Sequence, residues 1–342
     1  MRQIPEDHFN ILFTCAGRRV SLLKAFRSAM SELGLHGKLI ATDITDSSPA
    51  FHVADEGVIV PVVGTLEYIP KLLEIVQAHH VRLLVPLTDL DLRSLARQKD
   101  RFTQAGCTVM VAPEQTIKTC RDKLRTDTML DEAGLEHIKA YRLSEFRKKP
   151  FYPCFIKPIR GSGSVGTAIL RNIREFKAHV ATYGDLLIVQ EYVQGPEFTI
   201  DVYRSQKGEV KSVVPRQRLV IRSGEVEKGI TVKDDKLIGQ AVSLAQHLEG
   251  IWGVFCCQCR KDEDGTTRFF EINPRFGGGV PLSIAAGANF PLYLLQEVTG
   301  RDISAEVGQF TDKLMMMRYD DAVFCQAEAP AKLPGYKHPY TH

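Results

Sequence analysis

The chain has 342 residues, 44% apolar and 25% charged, enough for two or three domains with sizeable cores. Its 44 basic and 41 acidic side chains leave a formal charge of +3, too little to argue for a nucleic-acid or membrane-surface partner. The start MRQIPEDHFN is polar, no apolar run approaches the ~18 residues of a membrane span, and eight cysteines without framework spacing fit a reducing cytoplasm.

NILFTCAG (10–17) reads as a strand ending in a glycine turn, and RRVSLLKAFRSAMSELG (18–34) as an amphipathic helix closed by Gly34. KLIATDI (38–44) is a second strand, GVIVPV (57–62) a third, VRLLVPLTD (81–89) a fourth and CTVMVA (107–112) a fifth. The helix after the third strand places Leu66, Ile69, Leu72, Leu73 and Val76 on one face, and the helix after the fourth contains Leu92, Leu95 and Ala96. Strands alternating with helices predict a doubly wound parallel sheet over about residues 8–112. Ligands on such sheets lie beyond the C-terminal strand ends, which points to Gly17, Arg18, Asp43, Thr88 and Asp89; helix capping accounts for such residues equally well.

From residue 113 the rhythm changes. APEQTIKTCRDKLRTDTMLDEAGL is helical in two pieces ending at Gly134, followed by the strands PCFIKPI and TAIL, a helix at about 173–183 and the strand LLIVQEYV. EFTIDVYRS and EVKSVVPRQRLVIR read as strands, 234–248 as a helix, and GVFCCQCRKDEDGTTRFFEINPR as a hairpin turning at DEDG. The proline-rich last residues, 328–342, read as a loose tail.

Gly161, Gly163 and Gly166 spell G-x-G-x-x-G, but a strand, not a helix, follows them. Between two strands such a loop, with Ser162 and Ser164, is a flap that can close over phosphates without a helix dipole, and its meaning depends on what else in the chain could hold a nucleotide. In the hairpin, Glu271 and Asn273 share a strand face with Gln258 alongside, a set of hard oxygen donors suited to Mg²⁺, and Arg275 on the same side could meet a phosphate. Lys157 interrupts an apolar strand just before the flap, where an ammonium would meet nucleotide phosphates. Arg216, Arg218 and Arg222 fall at even spacing on one strand face; Arg216 is an acylphosphate or carboxylate contact, or else part of a solvated face. The cluster Cys256, Cys257 and Cys259 lacks a completing ligand and reads as small buried hydrophobes.

Together these residues resemble the ATP-grasp superfamily over about residues 8–320, most closely a single-grasp protein like one half of the carbamoyl-phosphate synthase large subunit. The resemblance implies an N-terminal doubly wound parallel-sheet domain (1–112), then an ATP-grasp fold whose two α+β subdomains (113–193 and 194–327) clamp the nucleotide. It implies phosphate contacts from Lys123 and Lys157 and a covering flap at 161–166. The adenine-binding linker would be Gln190, Glu191, Tyr192 and Val193, with Glu197 on the ribose. Gln258, Glu271 and Asn273 would hold Mg²⁺, with Mn²⁺ as a substitute, and Arg275 would act with Arg216 in catalysis. Gly278 joins the N-terminal residues as an acceptor-substrate candidate.

The chain has room for one grasp half, so a complete carbamoyl-phosphate synthase is not expected, and Gln258 stands where many relatives carry a carboxylate. The implied activity is a cytoplasmic, ADP-forming carboxylate–amine ligase, with small-molecule substrates and homodimerisation as one expectation. A nucleotide-binding regulatory subunit without turnover and a bicarbonate-phosphorylating subunit are the alternatives.

Overall fold

The computed structural model describes residues 8–161, 165–222 and 224–326, and the structural statements below concern these. The described residues divide into two compact units, one formed by residues 8–110 with 319–326, the other by those within 111–318.

The first unit is a parallel sheet of β1 (Asn10–Thr14), β2 (Leu39–Asp43), β3 (Glu56–Ile59), β4 (Val81–Pro86) and β5 (Thr108–Val109), in the order β3-β2-β1-β4-β5. Helices α1 (Val20–Glu32), α2 (Pro49–Val53), α3 (Tyr68–Ala78), α4 (Leu92–Arg97) and α5 (Lys99–Gln104) connect the strands. β1 is buried throughout, as expected of a central parallel strand, and Phe13 meets Phe26 of α1 edge-on at 4.9 Å. Two expectations need correction. The third and fifth strands are shorter than their apolar runs, and Leu66 is not on the face of α3: it precedes the helix and is 90% exposed, while Tyr68 takes the buried place. A period of 3.6 read into the turn before a helix assigns a face where there is no helix yet.

In the second unit, α6 (Glu114–Arg121) and α7 (Lys123–Glu132) are separated at Asp122, whose side chain accepts from Leu124 N–H at the start of α7. Then follow β6 (Ala140–Arg142), α8 (Leu143–Lys148), β7 (Cys154–Pro158), β8 (Ala168–Leu170), α9 (Ile173–Tyr183) and β9 (Leu187–Glu191). The four strands form one sheet, β6-β9-β7-β8, over a core that includes Phe146, Ile156, Phe176 and Val189.

A larger sheet, β14-β13-β10-β11-β12-β15, comprises β10 (Glu197–Arg204), β11 (Val210–Arg222), β12 (Glu225–Thr231), β13 (Gly253–Lys261), β14 (Thr267–Asn273) and β15 (Met315–Met317). Helices α10 (Asp235–Gln246), α11 (Val280–Ala285) and α12 (Phe290–Val298) accompany it. Among the described residues no helix is long and apolar enough to cross a membrane. The expected tail lies outside the described residues.

Candidate functional site

The glycine-rich stretch joins β7 to β8, two antiparallel strands, rather than a strand to the helix that follows it in a dinucleotide fingerprint. Ser162, Gly163 and Ser164 lie outside the described residues. Gly166 takes a left-handed φ of +69°, and a Cβ there would press on Pro158 and Tyr183 at 3.2–3.3 Å, so glycine is needed on both counts. Beside the stretch is a cavity of about 260 Å³ lined by Lys123, Lys157, Gly161, Gln190, Glu191, Tyr192, Val193, Glu197, Gln258 and Glu271. These residues come from separate segments of the chain, and the fold brings them around one cavity.

Both lysines are buried. Lys123, unremarkable in sequence, opens α7, and its ammonium donates to the carbonyl of Gly161 at 3.3 Å. Lys157 Nζ sits 5.0 Å from the centre of the Phe270 ring. Burial lowers the Lys157 pKa to about 8, Lys123 adds to the fall, and the Glu271 carboxylate opposes it.

Across the larger sheet, register places Arg216, Thr199, Gln258 and Glu271 in one row on adjacent strands, β11, β10, β13 and β14. Two residues along on each strand, Asp201, Cys256 and Asn273 occupy the same face. Glu271 Oε1 accepts from Asn273 Nδ2 at 3.0 Å, and Asn273 Oδ1 accepts from Arg275 Nη2 at 3.2 Å. One carboxylate and two amide oxygens are hard donors that fit a divalent cation held chiefly by nucleotide phosphates. For Asn273 to join Glu271 on one ion, its amide must turn over and exchange those two hydrogen bonds for coordination.

Glu197 has two partners that sequence reading did not give it. Its carboxylate accepts from Arg218 at 2.6 Å and from Arg260 at 2.5 Å, one arginine on each neighbouring strand and both lining the cavity. In the sequence, Arg218 stands out only as one of three evenly spaced arginines. Arg260 could have been found, because it stands two residues from Gln258 on the strand.

Arg216 is not on a solvated face. It is 1% exposed and grips Asp201 with two hydrogen bonds, Nε to Oδ2 at 2.7 Å and Nη2 to Oδ1 at 3.0 Å, while Ser283 donates to the same carboxylate at 2.6 Å. Gly277 and Gly279 lie directly over this pair, and a Cβ on Gly279 would collide with Arg216 Nη1. Arg222 ends β11, stands half-exposed 3.9 Å from Glu227, and does not line the cavity. Asn273, Arg275, Arg216 and Gly278 do not line the cavity, and the carbonyl of Gly278 accepts from Arg318. Cys256, Cys257 and Cys259 are buried free thiols, and burial pushes Cys257 and Cys259 well above the ordinary thiol range.

In the first unit, Asp43 ties loops together, accepting from the backbone N–H of Gly17 at 3.0 Å and from the Ser48 hydroxyl at 2.5 Å. Thr88 Oγ1 accepts from Leu90 N–H at 3.3 Å, and Arg18 is exposed. Asp89 is half-buried beside them. Near these strand ends, Tyr68 donates to the wholly buried Asp91 at 2.8 Å, a pair the sequence did not announce.

Comparison with known proteins matches three family models. They are "PylC-like, N-terminal domain" over residues 11–110, "D-ala D-ala ligase C-terminus" over 124–222, and "ATP-grasp in the biosynthetic pathway with Ter operon" over 184–321. The chain is 24% identical over 274 residues to a formate-dependent phosphoribosylglycinamide formyltransferase of Bacteroides fragilis, covering 74% of this chain and 67% of that protein. It is 33% identical over 122 residues to a D-alanine–D-alanine ligase of Thermotoga maritima, 33% of this chain and 40% of the ligase. Among solved structures, the biotin carboxylase domain dimer of Hydrogenobacter thermophilus 2-oxoglutarate carboxylase, in complex with MgADP, ADP and bicarbonate, superposes with a TM-score of 0.71. That match has 17% identity and covers 90% of this chain and 73% of that one.

Proposed function

This chain belongs to the ATP-grasp superfamily, and we propose that it is an ADP-forming ligase joining a carboxylate to an amine. The observation that supports this most directly is the single cavity where two buried lysines, the base of the glycine flap and the Gln258–Glu271 pair meet. Such a wall is built to hold a polyphosphate: cations for its charge, carboxylate and amide oxygens for its counter-ion.

In this reading a carboxylate oxygen of the acceptor attacks the γ-phosphorus of ATP and ADP leaves. The amine then attacks the acyl carbon of the acylphosphate, and phosphate departs with the original carboxylate oxygen. Lys123 and Lys157 offset charge on the phosphates, and Arg275 stabilises charge on the transferring group. Backbone groups of Glu191–Val193 read the adenine edge. Glu197 takes ribose hydroxyls on the lone pairs that Arg218 and Arg260 leave. Mg²⁺, which Mn²⁺ can replace, would be held by Glu271, Gln258 and Asn273 and would neutralise the phosphates. The partners are then small molecules rather than nucleic acid or membrane, in a cytoplasmic homodimer. The strand ends at Gly17, Asp43, Thr88 and Asp89 are kept as acceptor candidates of the first unit.

With an ¹⁸O-labelled carboxylate and its amine, one label should appear in released phosphate, and the nucleotide product should be ADP. AMP with pyrophosphate would refute the proposed mechanism. ADP release that depends on bicarbonate alone would move the reading to a bicarbonate-phosphorylating subunit.

Lys157 adds a pH dependence. Its pKa near 8 means that the ammonium is partly deprotonated in mildly alkaline solution, and the charge of ATP should draw a proton back. ATP affinity should fall as pH rises through about 8, and calorimetry in buffers of different ionisation enthalpy should show proton uptake on binding there. Lys157→Arg should abolish the uptake, because guanidinium stays charged. Uptake that persists in the variant would move the titrating group elsewhere.

A further inference from the structure

The cavity has a wall that the sequence motifs do not bring forward: residues 135–140, which lead from α7 into the first residue of β6. Ile138 of this segment lines the cavity. The segment hydrogen-bonds to both sheets of its unit. On one side, Ile138 N–H donates to the Phe269 carbonyl at 2.9 Å and Phe269 N–H to the Glu136 carbonyl at 3.0 Å, so it runs along β14 next to the cavity residues Phe270 and Glu271. On the other, Ala140 pairs with Gln190 of β9, and Gln190 Nε2 donates to the Ile138 carbonyl at 2.6 Å.

His137 fastens this segment. Its side chain is 9% exposed, with Nε2 3.2 Å from Asp127 Oδ1, an ion-pair contact rather than a linear hydrogen bond. Its Nδ1 donates to the Leu135 carbonyl at 2.9 Å. The same Asp127 oxygen accepts from Ala140 N–H at 2.6 Å, so one carboxylate on α7 grips both ends of the turn. An imidazole facing a carbonyl on one nitrogen and a carboxylate on the other is best served by protons on both.

We propose that His137 is a positioning residue of the nucleotide site: paired with Asp127, it fixes the 135–140 segment between β14 and β9 and so sets how firmly Ile138 packs on the nucleoside. This rests on the nucleotide reading above and extends it to a residue outside the phosphate and metal sets. The surrounding charges agree. Asp127 and Asp131 of α7 favour the imidazolium, and the segment itself carries Glu136 and Lys139. Arg268 of β14 is engaged by Asp262 at 2.6 Å and by Glu136 at 3.7 Å. The contact with Asp127 raises the His137 pKa above its ordinary value, with burial opposing and the Leu135 carbonyl assisting. The stabilisation of the segment is therefore complete below the ordinary histidine range and is lost as pH rises through the raised value.

The test uses the intact chain and adenosine, which has no phosphate for Lys157 to meet. Adenosine affinity should fall by about threefold or more as pH rises from 6 to 9, the effect of roughly half a unit of coupling. The His137 ring resonance should titrate with a midpoint that moves upward by the same amount when adenosine saturates the protein, because linkage is reciprocal. His137→Gln should bind adenosine with the high-pH affinity at every pH, and Asp127→Asn should behave alike. Should either variant fail to fold, the coupled titration in the wild-type chain still decides. A pH-independent adenosine affinity, or a His137 midpoint unmoved by adenosine, overturns the positioning role and leaves the nucleotide reading standing. Failure of both adenosine and ADP to bind at any pH removes the nucleotide reading and this role with it.

Discussion

Replacing Glu271 by Gln should lower turnover by two to four orders of magnitude, corresponding to on the order of 3–5 kcal/mol of barrier. Glu271 is the one anion among Gln258, Glu271 and Asn273, and it faces Gln258 across the β13–β14 ladder. Glutamine keeps the size of the side chain and an oxygen to accept from Asn273 Nδ2, so the hairpin should hold its shape. What is lost is the negative charge that would anchor a divalent cation between the sheet and the phosphates. A second consequence follows within the same cavity. Glu271 is the leading influence that keeps Lys157 protonated against its burial, so the variant should push the Lys157 pKa below its present value near 8. The pH at which ATP affinity begins to fall should therefore move down in Glu271→Gln. Steady-state rates, ATP titrations over pH and thermal unfolding without nucleotide separate these effects. Near-normal turnover with an unchanged melting temperature would place the metal elsewhere.

Much of this arrangement was legible in the sequence because it depends on short-range periodicity. Strand alternation put Glu271 and Asn273 on one face, and the DEDG turn brought Gln258 alongside, as the Gln258–Glu271 register has it. Lys157 stood out because a lysine inside an apolar strand needs a reason. Other features depend on register between strands far apart in the chain, which no local pattern carries. Glu197 finds Arg218 and Arg260 only because β10 lies between β11 and β13, with 21 and 63 residues separating the partners. His137 offered no signal at all: a histidine in a short connection is ordinary until α7 supplies a carboxylate from ten residues away.

Asp201→Asn should destabilise the protein by about 3–5 kcal/mol, the usual result of removing one partner from a buried ion pair. Asp201 and Arg216 are 0% and 1% exposed, and the carboxylate takes two arginine hydrogen bonds and one from Ser283. A carboxamide there turns an N–H₂ toward donors or leaves an arginine nitrogen unpaired, while the guanidinium keeps its charge in a site that water cannot reach. The glycines above cannot relieve it, because Gly279 already sits against Nη1. Ser283→Ala removes a single hydrogen bond to the carboxylate and should cost less, about 1.5–3 kcal/mol at most. The double replacement Asp201→Leu with Arg216→Met removes both charges, and should recover most of the stability lost in the single variant. Urea unfolding midpoints with matched slopes measure all three. A loss under 1 kcal/mol in Asp201→Asn would mean that water or another group reaches Arg216. The double variant also decides what the pair is for. If it folds, binds ATP and turns over, Arg216 is part of the sheet's internal packing. If it folds and binds ATP but releases no ADP, the guanidinium beneath the Gly277–Gly279 loop acts on the reacting groups.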